Sequence, residues 1–347
     1  MGRIKKDNKL MALLSVWGIL LVLLGHSGFE EPIIQEKLHY LHGWIYSFHM
    51  PLFFMISGYL FSLTNRDFTE INANKFLQKK AVRLLVPYVV LGIVLYFAKY
   101  IFSELSHATR DFSVTTFFKM FISPGCDGST MGYLWYVFTL FAIFVVVVVL
   151  NKLRVDMKNT AWCIVVMAIF WIMWTFLPNV KWLNWSSVCR DLPFFICGIL
   201  LYKFEYHVYT IINTCKGGGY SLLVSIALSV WLQFVDFSMI GYCISYIIKA
   251  LIGLVMSIQL CLLFLKSRWI KKCILPMSKY TYSIYLLSWF GHYAAKILLV
   301  NVLNAHYIVV VLGMFVTGWL FPLMVCQIVD KVSWLDKQKL LRLVIGY

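Results

Sequence analysis

The sequence predicts an all-α integral membrane protein with about ten transmembrane helices, and three observations carry this prediction. Its 347 residues are 61% hydrophobic and 13% charged, whereas a soluble domain is about half apolar and about a quarter charged. The apolar residues form long continuous runs, which favours helices, because the strands of a membrane barrel alternate apolar and polar residues. The basic residues fall between these runs, as membrane orientation requires.

A membrane-spanning helix needs about 20 mainly apolar residues, and ten segments approach or reach that length. They are residues 10–27, 43–63, 84–103, 132–150, 160–178, 189–205, 220–236, 242–265, 280–300 and 307–329. The first follows a basic start but lacks a signal-peptide cleavage site, so we interpret it as an uncleaved span. The longest connection, about 104–131, is too short for a separate domain. Residues 1–347 are therefore predicted to be one transmembrane domain, with no appended soluble domain.

The distribution of lysine and arginine predicts that both termini are cytoplasmic. With the amino terminus inside, 23 of the 31 basic residues lie in inner segments, which is the positive-inside pattern. The net charge of +16 is thus explained by orientation in a lipid bilayer. Because the chain has no nucleic-acid motif, we expect no nucleic-acid partner. The nine cysteines show no metal-ligand spacing, so no metal site is predicted.

Three histidines are predicted to lie within the membrane, where ionisable residues usually face a cavity or a partner. At about 1.5 Å per residue, His26 lies roughly 24 Å from the inner end of the first span, and His49 roughly 9 Å from the outer end of the second. By the same measure His292 lies roughly 18 Å from the inner end of the ninth span. The three therefore share one layer in the outer half of the bilayer.

A neutral imidazole can take a proton from an attacking hydroxyl near neutral pH. His26, inside LLVLLGHSG, is the favoured candidate for this role. For His49 and His292 a place at interfacial water is an equal alternative. Pro51 follows His49 in FHMPLFFMISGYLF and is expected in the first turns of its helix, where a missing N–H costs least.

A basic cluster, formed by Lys79, Lys80 and Arg83, occupies the mouth of the third span in KFLQKKAVRLLVPY. Such side chains at a helix entrance suit a multiply charged anion such as a phosphate. The alternative is an anchor that only sets the topology.

Structural roles are favoured for the other polar residues near the spans. We expect Tyr133, Trp135 and Tyr136 in an interfacial aromatic belt. Arg190 and Asp191 are expected to pair with each other or to rim a cavity, and Lys249 to snorkel outward.

Three segments in order, LLVLLGHSG, FHMPLFFMISGYLF and FLQKKAVRLLVPY, resemble the membrane acyltransferase family 3. The likeness is closest to its stand-alone sugar O-acetyltransferases related to fucose 4-O-acetylases. Weaker similarity follows in YLWYVFTLF, LPFFICGILLY and MSKYTYSIYLLSWF, so the resemblance spans essentially the whole chain. It implies ten core spans and transfer of an acetyl group from acetyl-CoA to a hydroxyl of a cell-surface or exported glycan. It also implies a place in the bacterial inner membrane.

The resemblance assigns roles to individual residues. His26 matches the essential histidine that closes the family's first span, and the Lys-Ala-Val-Arg run at 80–83 matches its Arg-x-x-Arg element. Lys79, Lys80 and Arg83 would therefore contact the phosphates of acetyl-CoA. His49 belongs to the second-span signature and would face the site.

Two positions depart from the family pattern. Ser15 stands where the family often has an arginine, and Ser288 stands where many members have the histidine of IYLLH. His292 follows Ser288 one turn later. Ser288, His292 or Tyr285 would stabilise the oxyanion, a role whose donors must be positioned in advance.

A transporter or flippase for a glycan or glycolipid is the alternative of another class, because ten helices with polar groups inside also suit transport. The same enzyme using succinyl or another short acyl group is a second alternative. The predicted partners are acetyl-CoA, a carbohydrate acceptor and the lipid bilayer. The sequence leaves open a homo-oligomer, the side of transfer and a covalent acyl-enzyme.

Overall fold

The computed structural model describes residues 9–65, 72–101, 113–126, 129–176, 180–214, 218–235, 241–332, 335 and 338–346. Residues 104–112 and 127–128 of the predicted longest connection lie outside these ranges. Some of the predicted inner basic residues also lie outside the described residues, namely Arg3, Lys5, Lys6, Arg66, Lys216 and Lys337.

The described chain consists of helices joined by turns, with no β-strand in the ranges given above. The helices in chain order are α1 (Lys9–Gly25), α2 (Pro32–Thr64), α3 (Ala73–Ile101), α4 (Val114–Ile122), α5 (Trp135–Lys152), α6 (Thr160–Phe176), α7 (Trp185–Thr214), α8 (Gly218–Trp231), α9 (Tyr242–Phe264), α10 (Thr281–Lys296), α11 (Tyr307–Lys331) and α12 (Lys339–Val344). Short 3₁₀ segments, Gly132–Leu134 and Trp182–Asn184, lead into α5 and α7. Irregular helical turns, Ile270–Tyr280 and Ile297–Val302, flank α10.

Each predicted span overlaps one of these helices. Five helical segments are long and apolar enough to cross a membrane, namely Ala73–Ile101, Gly132–Lys152, Tyr242–Phe264, Ile270–Val302 and Tyr307–Lys331. Three further apolar helices are shorter, namely Lys9–Gly25, Thr160–Phe176 and Gly219–Trp231. The all-helical class is therefore confirmed for the described residues. The ten-span count and the orientation of the termini stay predictions.

Helix α2 corrects one expectation. It begins at Pro32, whereas the apolar segment begins at residue 43, so Pro51 lies inside the helix and not in its first turns. The first part of α2 is separated from the rest by a kink at Leu38, whose φ of −121° and ψ of 17° are not helical. Pro51 cannot donate the helical hydrogen bond to the carbonyl of Ser47. The proline therefore loosens the backbone of α2 beside His49.

A close backbone contact joins α2, which carries His49, to α7, which carries Arg190. Where α2 crosses α7, a methyl group on Gly58 would overlap the carbonyl oxygen of Phe195, and one on Gly198 would overlap that of Met55. Small residues allow such backbone contact, which packs membrane helices tightly. The crossing fixes the position of α2 relative to α7.

Hydrogen bonds between buried side chains join further helices. The indole N–H of Trp17 in α1 donates to the Ser257 hydroxyl of α9 over 3.2 Å. The indole N–H of Trp44 in α2 donates to the Ser229 hydroxyl of α8 over 3.0 Å. Because polar groups in an apolar interior need partners, these bonds fix the register of α1 and α2 against α8 and α9.

Candidate active site

Two cavities meet near the end of α1. The large cavity has a volume of about 400 Å³ and lies where α1 ends and α5, α7 and α9 begin. The small cavity, of about 70 Å³, lies between α1, α10 and α11. Four residues line both cavities, namely Val22, His26, Tyr133 and Tyr285. Of these four, only His26 carries a side chain that can act as a base near neutral pH.

His26 follows the last residue of α1 in a tight turn. Its backbone N–H donates to the Val22 carbonyl over 3.0 Å, and Gly28 closes the turn with a φ of +83°. A φ of this sign favours glycine, because other residues clash there. The turn exposes the imidazole of His26 to both cavities.

Tyr46 orients the imidazole of His26. The Tyr46 hydroxyl lies 3.4 Å from the Gly25 carbonyl oxygen, to which it donates, and 3.3 Å from Nδ1 of His26. Since a carbonyl can only accept, the hydroxyl proton points to Gly25 and the hydroxyl oxygen accepts from Nδ1–H. This arrangement leaves Nε2 of His26 as the nitrogen with a free lone pair.

His49 has the same tautomer for a different reason. Its side chain is buried, and Nδ1 lies 2.8 Å from the backbone carbonyl oxygen of Ile45 one turn earlier. Nδ1 must therefore carry the proton, and Nε2 is the basic nitrogen. The imidazole packs edge-on against the Tyr46 ring at 4.8 Å between centroids, and it lines the large cavity.

Beside them, His42 packs between two aromatic rings. It stacks on Phe29 at 4.6 Å and lies 4.0 Å from Tyr46, between ring centroids. Partial burial lowers the pKa of His42 below its ordinary value. Tyr46 thus contacts three histidines, and sequence reasoning missed it because an aromatic residue at the start of a span is common.

Ser288 and His292 occupy the small cavity. They lie one turn apart on α10, and both side chains are buried. The Ser288 hydroxyl lies 3.4 Å from the Tyr285 carbonyl oxygen. Nε2 of His292 has no hydrogen-bond partner among the described residues. It packs against Gly318 of α11, where a methyl group would overlap the ring.

Tyr285 has a structural contact that differs from its expected role. Its hydroxyl donates to the backbone carbonyl of Tyr133, and the Tyr133 hydroxyl donates in turn to the carbonyl of Leu286. The Tyr285 hydroxyl therefore already donates its proton to the Tyr133 carbonyl, and this proton is not available to an oxyanion. The Ser288 hydroxyl has the same kind of contact, with the Tyr285 carbonyl, so among these three side chains only that of His292 has a nitrogen without a partner in the described part of the chain.

An ion pair borders the small cavity. Nζ of Lys296, at the end of α10, lies 2.7 Å from a carboxylate oxygen of Glu31 and 3.8 Å from one of Glu30. The two carboxylates precede α2 and follow the turn of His26. The pair therefore ties α10 to the backbone that presents His26.

The basic cluster does not join the histidines. Lys79 and Arg83 are exposed on the first turns of α3, and Nζ of Lys80 lies 4.4 Å from the ring centroid of Phe144. A hydrogen bond of 3.2 Å joins the hydroxyl of Tyr282 to the Arg83 carbonyl oxygen. From Tyr282 to His292 the axis of α10 advances by about 15 Å. The start of α10 thus adjoins the backbone that carries the basic cluster, and its later turns line the small cavity.

Four residues with expected structural roles line the large cavity, namely Tyr133, Trp135, Arg190 and Lys249. The guanidinium of Arg190 binds the carboxylate of Asp191 with two hydrogen bonds of 3.0 and 2.8 Å, so the predicted pair is present and also rims a cavity. In the sequence, the sign of this pair was the presence of two adjacent residues of opposite charge in an apolar segment. Lys249 lines the cavity on α9, a place that its hydropathy context did not indicate.

Apolar helices that enclose imidazole and hydroxyl groups between two cavities define the site of a membrane-embedded enzyme. A family model described as an acyltransferase domain matches residues 12–323, and the chain belongs to this family, the acyltransferase 3 family. The protein is therefore an integral membrane acyltransferase. No curated protein and no solved structure was found to match the chain.

Proposed function

We propose that this protein transfers an acetyl group from acetyl-CoA to a hydroxyl of a cell-surface or exported glycan, with His26 as the general base. The observation that carries the proposal is the position of His26 at the junction of the two cavities. A base that lines both can take a proton from an acceptor in one and serve a thioester in the other. Acyl transfer needs this proximity of reacting groups.

The proposed reaction is a direct transfer. Nε2 of His26 takes the proton of the acceptor hydroxyl, and the hydroxyl oxygen attacks the thioester carbonyl carbon. The carbon–sulfur bond then breaks, the new ester forms, and the CoA sulfur leaves with the proton that His26 returns. General-base catalysis of this kind contributes about 10²–10⁴-fold.

The small cavity suits the acyl group. Its volume of about 70 Å³ has room for a short acyl chain. Ser288 and His292 line this region and would stabilise the oxyanion once their donors turn toward the carbonyl, because the Ser288 hydroxyl now contacts the Tyr285 carbonyl and Nε2 of His292 packs against Gly318. His49, whose Nε2 is basic, would orient the acceptor hydroxyl in the large cavity.

The basic cluster suits the nucleotide end of acetyl-CoA. Lys79, Lys80 and Arg83 supply cations for its phosphates, and the pantetheine arm would run along α10, which contacts the backbone of Arg83 at Tyr282 and lines the small cavity at His292. We further propose that both termini are cytoplasmic, in a bacterial inner membrane. The basic cluster would then face the cytoplasm.

Transfer of radiolabel from acetyl-CoA tests this proposal. Membranes with the full-length protein should move label into alkali-labile esters of glycans, and membranes without it should not. Mass spectrometry of surface glycans from producing and deleted cells identifies the modified hydroxyl. Competition with succinyl-CoA distinguishes a larger donor. Purified, folded protein that neither binds acetyl-CoA nor transfers its label would overturn the proposal.

A further inference from the structure

The wall of the large cavity carries positive charge. Arg190 and Lys249 line it from the start of α7 and from α9, and no aspartate or glutamate is among the described residues that line it. The other polar groups of the wall are neutral hydroxyl and amide groups, such as those of Ser47 and Gln233, and imidazoles. Asp191 balances the charge of Arg190 from behind the wall, so the groups that the cavity itself presents are cations and neutral polar groups, which suit an anion.

Arg190 is held rigidly on three sides. Its Nε–H and one N–H of Nη2 bind the carboxylate of Asp191, which is fully buried. The guanidinium carbon lies 5.1 Å from the ring centroid of Trp135 and 5.6 Å from that of Tyr246. A guanidinium has five N–H donors in a fixed plane. Because Asp191 uses two of them, three remain on a group that is already positioned.

A purely structural role does not account for this arrangement. Charged residues at membrane depth are costly, and apolar side chains in place of a buried ion pair are often as stable or more stable. A stabilising pair would also need no access to a cavity, yet the Arg190 side chain is 24% exposed. The remaining donors of Arg190 therefore point to a ligand.

We propose that the acceptor glycan is acidic, and that its carboxylate or phosphate group binds the remaining N–H groups of Arg190, with Lys249 as a second cation. The inference rests on the proposed function, because it takes the large cavity as the acceptor site. The planar fork of arginine matches the oxygens of a carboxylate or a phosphate. An anion held there leaves the sugar between Arg190 and the imidazoles of His49 and His26, which line the same cavity.

Binding without acetyl-CoA tests the inference separately from catalysis. The full-length protein in nanodiscs of zwitterionic lipid is titrated with three probes: a hexuronic acid trisaccharide, its carboxyl-reduced neutral counterpart, and the neutral trisaccharide carrying one phosphate. Calorimetry should show at least one acidic probe binding about 10–100-fold more tightly than the neutral one, as charge-assisted hydrogen bonds imply. The probe that binds more tightly distinguishes a carboxylate from a phosphate acceptor.

Variants test whether the preference for acidic probes arises in the large cavity. The double variant Arg190→Leu/Asp191→Leu removes the pair without leaving a buried carboxylate alone, and it should abolish the preference. Arg190→Lys keeps the charge but loses the fork, and it should reduce the preference about tenfold. Lys249→Gln should reduce it less. Lys203→Gln is the matched control, because Lys203 lies on α7 outside the cavity and donates to the Lys158 carbonyl over 2.7 Å.

Two results would overturn the inference. One is equal binding of acidic and neutral probes by the wild-type protein. The other is an unchanged acidic preference in folded Arg190→Lys and Lys249→Gln variants. Neither result bears on transfer from acetyl-CoA, and failure of that transfer would leave the binding measurement intact.

Discussion

Imidazole, hydroxyl and aromatic groups line the two cavities together with a few charged groups such as Arg190 and Lys249. The opposite end of α10, by contrast, adjoins the mostly exposed ammonium and guanidinium groups of the basic cluster. In the first region His26, His49 and Arg190 each have a side-chain orientation fixed by a hydrogen bond. In the second, Lys79 and Arg83 are exposed on a helix surface.

Substitutions in the two regions should therefore change different kinetic quantities. Of the oriented groups, the imidazoles would act on the transition state, so their loss lowers kcat, whereas loss of Arg190 weakens binding of the acceptor. Exposed cations act through charge, so their loss weakens binding of an anionic donor. We therefore expect substitutions in the cavity region to lower the rate of transfer, and substitutions in the basic cluster to lower affinity for acetyl-CoA.

The largest expected effect is that of His26→Ala. Loss of the base should lower acetyl transfer by about 10²–10⁴-fold, while the affinity for acetyl-CoA stays within a few-fold. Radiolabel transfer and calorimetry on the same purified protein measure the two quantities. His39→Ala is the control, because His39 is exposed near the start of α2. Near-normal transfer by a folded His26→Ala protein would move the role of base to His49.

The second prediction concerns the basic cluster. Lys80→Ala/Arg83→Ala should weaken acetyl-CoA binding by about 10–100-fold, because charge-assisted contacts to phosphates are lost. The rate at saturating acetyl-CoA should change little. Lys152→Ala/Lys158→Ala removes the same charge from another predicted inner segment and should leave the affinity unchanged. An equal loss of acetyl-CoA affinity in both variants would mean that the basic cluster serves only to orient the chain in the membrane.

Positions that depend on depth in the membrane could be predicted from the sequence. The rise of a helix placed His26, His49 and His292 in one layer, and in the structure both His49 and His292 share a cavity with His26. Whether they act in catalysis stays a prediction. Depth follows from counting along a helix, so it can be read from one sequence.

The start of α2 and the role of Tyr46 could not be read in this way. Hydropathy measures transfer into lipid, whereas backbone hydrogen bonds continue into water, so α2 extends to Pro32 beyond its apolar segment. Tyr46 reaches His26 only because the turn after Gly25 folds back toward α2. Such contacts between sequence-distant segments depend on packing and not on periodicity.

A smaller effect is expected from Gly318→Ala in the cavity region. The added methyl group would overlap the His292 ring, which must then move away from α11. We expect a roughly tenfold loss of transfer, because small displacements of catalytic groups are costly, with acetyl-CoA affinity unchanged. Gly313→Ala on the same helix meets only the end of the Leu299 side chain, which can move. Equal activity of the two variants would argue against a role for His292.

The smallest expected effect is that of Tyr46→Phe. The ring still packs against His42 and His49, but the oxygen that accepts from Nδ1–H of His26 is lost. One neutral hydrogen bond stabilises by about 0.5–1.5 kcal/mol, so kcat should fall about two- to tenfold, with acetyl-CoA affinity unchanged. Tyr59→Phe is the matched control on α2, because its hydroxyl donates to Glu205 over 2.8 Å, away from both cavities.

A double-mutant cycle distinguishes orientation of His26 from general packing. If Tyr46 acts through His26, adding Tyr46→Phe to His26→Ala should cause no further loss, because contacting residues that act together are not additive. If Tyr46 only stabilises the fold, the two losses should multiply and the Tm should fall in both backgrounds. Multiplying losses would place the function of Tyr46 in packing, and the orientation of His26 would then depend on the backbone turn that carries it and not on the Tyr46 hydroxyl.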